Sequence, residues 1–159
     1  MKIRWTEALN ATTANNPLIF AQTDTTAGFL CKDCKKINHT KKRGLEQRVL
    51  CEIPNFATLR TLTRIPLAHK KNVRKMRKTT FIYPNQRGYR VVAQDLPHHR
   101  ILRYFGMLYS SSANIHNKDF HLPYALRISD IVAVNSQYFS QKKASKILKL
   151  GRIKVQKLR

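Results

Sequence analysis

Acidic residues are scarce in this chain. Its 159 residues include 8 aspartates and glutamates against 31 lysines and arginines, which gives a formal net charge of +23. A folded domain of this size carries such self-repulsion more easily beside a polyanion, so this imbalance predicts nucleic acid as a partner. The alternative is a basic protein that binds no RNA.

Cysteine is also scarce, with three residues at Cys31, Cys34 and Cys51. An odd count in a chain without secretory features argues against a disulfide framework. Cys31 and Cys34 form a Cys-x-x-Cys pair, but a structural zinc site normally has a second such pair, and none follows. We therefore expect free thiols and no protein-bound metal.

Long apolar runs are absent, and no stretch approaches the length of a membrane span. The first residues also lack the apolar segment of a signal peptide. These absences predict a cytoplasmic protein without a membrane partner. A hydrophobic content of 42% is enough for one core, and we expect a single domain over residues 1–159.

Short apolar runs alternate with short helical patterns, which predicts a mixed-sheet α/β domain. The spacing predicts strands over 17–22, 48–53, 107–109 and 131–134, and an antiparallel hairpin from 79–83 and 88–93. Helices are predicted over 33–41, 55–65 and 97–105, with Asp33 and Asn55 as N-caps, and a short helix or turn is predicted over 4–14. Residues 115–130 are predicted as a loop, and the tail from 142 as a helix followed by an edge strand.

Polar side chains gather where predicted strands begin or end. Thr23 and Thr25 follow the first strand, and Lys41 and Arg43 precede the second. Small donors follow a later strand, namely Ser110, Ser111, Ser112 and Asn114. Hydroxyls and cations at strand ends suit a ligand that carries a polar body and phosphates. The serine cluster could equally be an ordinary turn.

A dense basic run lies between residues 70 and 78. Its six cations are Lys70, Lys71, Arg74, Lys75, Arg77 and Lys78. Such a run is either a solvated face or a set of phosphate contacts to RNA. His98 and His99 are adjacent, so on a helix they point in different directions, and we interpret them as packing or polar residues, or as phosphate contacts, rather than as metal ligands.

Together, these motifs resemble the YrdC-like family, the threonylcarbamoyl-AMP synthases of tRNA modification. The family's first motif, Pro-Thr-x-Thr-x-Tyr-Gly-Leu, is similar to residues 22–29, and its Lys-x-Arg is similar to residues 41–43. The remaining similarities are a Thr-Phe-Ile strand at 80–82, an Arg-Val-Pro strand at 90–92, a Ser-x-Ser-Ala-Asn segment at 110–114 and a Pro-Ser-x-Ile segment at 144–147. The order of the motifs agrees over roughly residues 17–115.

Several positions depart from the family pattern. Gln22 replaces its proline, Ala27 its tyrosine, and Val92 the second proline of Arg-Val-Pro. A Pro-Gly-Pro before the third strand is replaced by residues 76–78. These departures leave the fold assignment intact and bear on catalysis.

The resemblance implies a twisted sheet of mixed parallel and antiparallel strands, flanked by helices and carrying a large basic concave cleft. It implies synthesis of threonylcarbamoyl-adenylate from L-threonine, bicarbonate and ATP, with Mg²⁺ carried by the nucleotide. Threonine or its carbamate would contact Thr23, Thr25 and Arg90. ATP would contact Lys41, Arg43, Ser110, Ser112, Asn114 and Ser145. Partners would be tRNA and other proteins of threonylcarbamoyl transfer.

Three functions remain open at this stage. The first is an active synthase, a nucleotidyltransferase whose reaction needs positioning and charge neutralisation rather than a general acid or base. The second is a YrdC-like protein that has lost catalysis and binds tRNA or double-stranded RNA by shape and phosphate contacts. The third is a small basic ribosome-associated protein of unrelated fold.

Overall fold

A computed structural model describes residues 16–134 and 138–159, so the short helix or turn predicted over 4–14 lies outside the described residues. The described residues form one mixed sheet and five α-helices. The strands are β1 (Ile19–Gln22), β2 (Ala27–Cys31), β3 (Leu50–Ile53), β4 (Thr79–Ile82), β5 (Gly88–Val91), β6 (Leu108–Ser112), β7 (Ile131–Ala133), β8 (Lys146–Leu150) and β9 (Val155–Lys157). The helices are α1 (Cys34–Thr40), α2 (Phe56–Leu62), α3 (Lys70–Lys75), α4 (His99–Phe105) and α5 (Leu122–Ile128).

The helix ends follow their sequence signals. The Asp33 carboxylate accepts a hydrogen bond from the backbone N–H of Lys35 at 2.8 Å, and the Asn55 side chain accepts one from Thr58 at 2.8 Å. Both predicted N-caps are therefore confirmed at α1 and α2. Gly106 ends α4 with a φ of 85°, a left-handed conformation that favours glycine.

The nine strands lie in the order β7-β1-β2-β6-β3-β5-β4-β8-β9. Three neighbouring pairs are parallel: β1 with β7, β3 with β5, and β4 with β8. The other five pairs are antiparallel, including the predicted hairpin of β4 and β5. The predicted mixed α/β sheet is thus confirmed.

The sheet buries apolar residues on both faces. In β1, Ile19 packs in one cluster with Leu30 and Leu102, while its neighbour Phe20 packs in another with Phe29. Successive strand residues point to opposite faces, so a strand covered on both sides has no polar alternation. This explains the unbroken apolar run at the start of the described chain. A third cluster lies under α2 and α3 and includes Ile53, Leu59, Val73 and Tyr83.

Tertiary pairing overrides two local predictions. The predicted loop over 115–130 contains α5, whose Ala125 is fully buried in the cluster that includes Phe20 and Phe29. The predicted tail helix was wrong, because Lys146–Leu150 forms β8 and pairs in parallel with β4. Available pairing partners decided the tail over the helical spacing of its apolar residues.

Two further differences concern the centre of the sheet. Ala27–Cys31 forms a strand, β2, in a segment for which no strand was predicted. The serines expected after a strand lie inside one, since β6 extends through Ser112. Within the described residues, no helix has the length and apolar character required to cross a bilayer.

Candidate nucleotide-binding cleft

An open cleft of about 580 Å³ lies over the central strands, and it collects all nine residues predicted to bind substrate or ATP. Its lining includes five lysines and arginines but, among the described residues, no aspartate or glutamate. The nine predicted residues are Thr23, Thr25, Lys41, Arg43, Arg90, Ser110, Ser112, Asn114 and Ser145. The cleft therefore has the electrostatic character of an anion site.

Gly28 permits two backbone segments to approach closely on the cleft wall. A Cβ atom at Gly28 would lie 3.1 Å from the carbonyl oxygen of Ser111 and 3.2 Å from Cγ2 of Thr23. Both distances are too short for relaxed packing, and β6 is the hydrogen-bonded neighbour of β2. The absence of a side chain at Gly28 is thus a packing requirement of β2 against β6.

The Lys41 side chain crosses from the end of α1 to the end of β6. Its Nζ donates to the backbone oxygens of Ser112 at 2.7 Å and Asn114 at 2.6 Å, and to Asn114 Oδ1 at 3.0 Å. Lys41 is only 3% exposed. Burial, with the nearby positive charge of Arg43, lowers the pKa of Lys41 to about 8.

Arg43 is fixed by the loop that follows α1. Its Nε donates to Asn38 Oδ1 at 2.7 Å, and Asn38 is itself held through its amide group by the carbonyl oxygens of Leu45 and Gln47, both at 2.7 Å. Burial lowers the pKa of Arg43, but a guanidinium stays charged at any physiological pH. Arg43 therefore presents a preorganised cation at the cleft wall.

A turn between β1 and β2 places the two predicted threonines. The Thr23 hydroxyl donates to the carbonyl oxygen of Thr26 at 2.7 Å, and it lies 3.3 Å from the Thr25 hydroxyl. Thr23 thus holds the turn in shape, whereas Thr25 also accepts a hydrogen bond from an Arg90 terminal nitrogen at 3.3 Å.

Arg90 lies at the cleft floor inside a buried ionic cluster, which we define as Asp24, Glu52, Arg90 and His98. One guanidinium nitrogen contacts Glu52 Oε1, and the other lies 3.4 Å from Asp24 Oδ1. His98 Nε2 lies 3.4 Å from Glu52 Oε2. Burial alone would raise the pKa of Glu52, but Arg90 and then His98 hold it well below its usual range.

The far wall of the cleft is formed by the residues around β8. Ser145 Oγ lies 3.4 Å from the Thr80 hydroxyl, and its backbone oxygen accepts a hydrogen bond from Arg159 Nε at 3.0 Å. Arg159 itself lines the cleft. Ser145 is thus 4% exposed and joined to β4 on one side and to an arginine on the other.

The basic run lies elsewhere. Its six cations are exposed on α3 and on the turn before β4, and none of them lines the cleft. Arg74, Lys75, Arg77 and Lys78 border a separate cavity of about 200 Å³, and Arg77 forms an exposed ion pair with Asp95 at 2.9 Å. The fold therefore separates the predicted RNA contacts from the predicted ATP contacts.

Sequence reasoning missed the acidic half of the ionic cluster and part of the cleft wall. Glu52 carries a signal that could have identified it, since a lone acid within an apolar strand of an acid-poor chain must find a cation. Arg48 and Arg159 carry no comparable signal, because each is one cation among many. His98 is buried and lies against Glu52, a contact that the sequence could not predict.

The chain matches no family model, and no curated protein sequence matches it. Solved structures do match. Sua5 of P. abyssi, crystallised with L-threonine, is similar to 100% of this chain, with a TM-score of 0.77 and 16% identity. This chain spans 55% of that Sua5 chain.

Two further solved structures share the fold. E. coli YciO matches 99% of this chain and 90% of its own, with a TM-score of 0.72 and 13% identity. Full-length HypF in a phosphate- and nucleotide-bound form matches 100% of this chain and 29% of its own, with a TM-score of 0.74 and 8% identity. The chain thus has the fold of the YrdC/Sua5-type domains, as the motif resemblance predicted.

Proposed function

We propose that residues 1–159 form one YrdC-like domain that acts as a threonylcarbamoyl-AMP synthase. The observation that supports this proposal is the convergence of all nine predicted ligand contacts on a single cleft rich in cations. The solved relatives include one bound to L-threonine and one bound to phosphate and nucleotide. A cleft of this volume is within the range of small-molecule sites.

The proposed reaction has two steps. The deprotonated amine of L-threonine adds to bicarbonate with loss of water, which forms a carbamate. A carbamate oxygen then bonds to the α-phosphorus of ATP as the bond to the β-phosphate breaks, and pyrophosphate leaves. Threonylcarbamoyl-adenylate is the product, and further proteins would transfer its threonylcarbamoyl group to tRNA.

The residues would contribute positioning and charge. Lys41 and Arg43 would bind the phosphates, Arg43 as a planar fork and Lys41 as a point charge. Ser110, Ser112, Asn114 and Ser145 would line the nucleotide site, and Thr23 and Thr25 would contact the amino acid or its carbamate. Because the described cleft residues include no acid, Mg²⁺ would enter on the triphosphate and neutralise its charge.

The test is pyrophosphate release from ATP in the presence of L-threonine and bicarbonate. We expect threonine-dependent release by the wild type and a loss of about 100-fold or more in kcat/KM for Arg43→Ala. Lys36→Ala is the matched control, because Lys36 is a cation of α1 that pairs with Asp130 at 2.7 Å outside the cleft. Full activity of Arg43→Ala, or no threonine-dependent release by folded wild type, would overturn the proposal.

RNA binding is the second candidate function, and the exposed basic run favours it. Six cations on and beside α3 lie outside the cleft, so they would be free to contact phosphates whether or not the cleft holds a ligand. This surface would bind tRNA or double-stranded RNA mainly through contacts with the sugar-phosphate backbone of the RNA.

A further inference from the structure

Arg90 lies on the cleft floor, beside the threonines that would contact the amino acid. A single free guanidinium at this place would bind a substrate carboxylate strongly, as a two-pronged donor. The state of Arg90 therefore determines how the cleft receives an α-amino acid.

The charge of Arg90 is already compensated inside the protein. Glu52 and Asp24 both face its guanidinium, and the remaining terminal hydrogen-bonding capacity goes in part to Thr25. Arg90 is 2% exposed and Glu52 is fully buried. The two carboxylates therefore offset the positive charge of the guanidinium within the cluster.

Glu52 cannot easily leave Arg90. The two residues are directly opposite each other on the parallel strands β3 and β5. The second Glu52 oxygen is buried and lies 3.4 Å from His98 Nε2 without a hydrogen bond. A substrate carboxylate that approached Arg90 would thus come close to a fixed like charge in a region screened little by water.

We infer that Glu52 is a specificity-determining residue that weakens the hold of the cleft on a substrate carboxylate by neutralising Arg90. This inference rests on the proposed function and narrows its substrate requirement. Arg90 thus adds little to the affinity for an α-carboxylate, and removing the charge of Glu52 should free it to bind one.

The test pairs two ligands with two proteins. Dissociation constants are measured by calorimetry for L-threonine and for L-threoninol, whose hydroxymethyl group replaces the carboxylate, in the presence of a non-hydrolysable MgATP analogue. Glu52→Gln keeps an oxygen acceptor beside Arg90 but removes the charge, so it should bind L-threonine about tenfold more tightly and L-threoninol unchanged.

Two further variants complete the design. Glu46→Gln is the matched control, because Glu46 is an exposed carboxylate that pairs with Lys35 at 3.2 Å outside the cleft, and it should change neither constant. Asp24→Asn removes the other carboxylate near Arg90 and should shift L-threonine affinity in the same direction by less. It also carries the test if Glu52→Gln does not fold, as judged by thermal melting and by affinity for the ATP analogue.

The outcomes separate the inference from the proposed function. An unchanged affinity for L-threonine in folded Glu52→Gln and Asp24→Asn overturns the inference even if pyrophosphate is released. A selective gain for L-threonine in these variants supports the inference, even if the wild type releases no pyrophosphate and the proposed function fails.

Discussion

Lys41 and Arg90 in the cleft differ from the cations of the basic run in burial and in the number of protein oxygens that they contact. Lys41 and Arg90 are 3% and 2% exposed, and each is held by several oxygens of the protein. Lys70, Lys71, Arg74, Lys75 and Lys78 are exposed, and among the described residues they form no ion pair. Lys41 and Arg90 are preorganised, whereas these five cations are solvated.

This difference shows that cation density along the chain is a poor guide to a built site. The basic run is conspicuous in the sequence but borders no large cavity, whereas the cleft cations are scattered over the chain and meet only in the fold. A buried cation attracts an anion more strongly than an exposed cation does, because its low-dielectric surroundings screen the charge less. Exposed cations act collectively and depend on salt.

The largest expected contrast is in stability. Arg90→Ala would leave Glu52 and Asp24 buried without their cation and should lower the free energy of unfolding by about 3–5 kcal/mol. Arg74→Ala removes the same group from an exposed helix position and should change it by less than about 0.5 kcal/mol. Urea unfolding of both variants checks this, and equal losses would refute the distinction between the two regions.

A pH dependence should distinguish the regions next. Bound phosphate favours charged Lys41, so above a pKa of about 8 the protein must take up a proton when ATP binds. ATP affinity should therefore fall as pH rises above 8, by up to about tenfold per pH unit. Lys41→Gln should bind weakly with a flatter pH profile, and Lys71→Gln should keep the wild-type profile. Calorimetry between pH 7 and 9.5 measures it, and a steep profile retained in Lys41→Gln would exclude Lys41 as its source.

The smallest expected effect concerns the basic run alone. If RNA phosphates contact Arg74 and Lys75, the double change to alanine should make the plot of log affinity against log salt shallower. The negative slope should shrink in magnitude by about 1.5–2. The double change of Lys35 and Lys36 to alanine is the control, since these cations pair with acids on another surface. Filter binding over a salt series provides the slopes, and an identical slope in the Arg74/Lys75 variant would remove α3 from the RNA surface.

Local chemistry made much of this fold predictable. Asp33 and Asn55 are N-caps as predicted, and the hairpin of β4 and β5 follows from β-rich runs around a short turn. The order of the polar motifs along the chain resembles that of a family whose fold the structure shares, and the residues named from this resemblance all line one cleft. The capping and hairpin signals are each contained within a few neighbouring residues.

Long-range contacts account for what was missed. β8 is a strand because it pairs in parallel with β4, and the sequence around Lys146–Leu150 does not indicate this pairing. The partnership of Glu52 with Arg90 depends on β3 lying beside β5, although the two residues are far apart in the chain. Patterns in a single sequence indicate the local conformation that a residue favours, whereas the order of strands in the sheet determines which distant residues it contacts.

The parallel pairs have a consequence for how the cleft is assembled. β1 meets β7 through Ile19 and Ile131, and β4 meets β8 through Thr79 and Lys146, so distant parts of the chain must dock before the sheet is complete. The cleft lining runs from Thr23 to Arg159. No single hairpin or helix therefore contains the whole lining, and a ligand bound there would stabilise the complete sheet rather than one part of it.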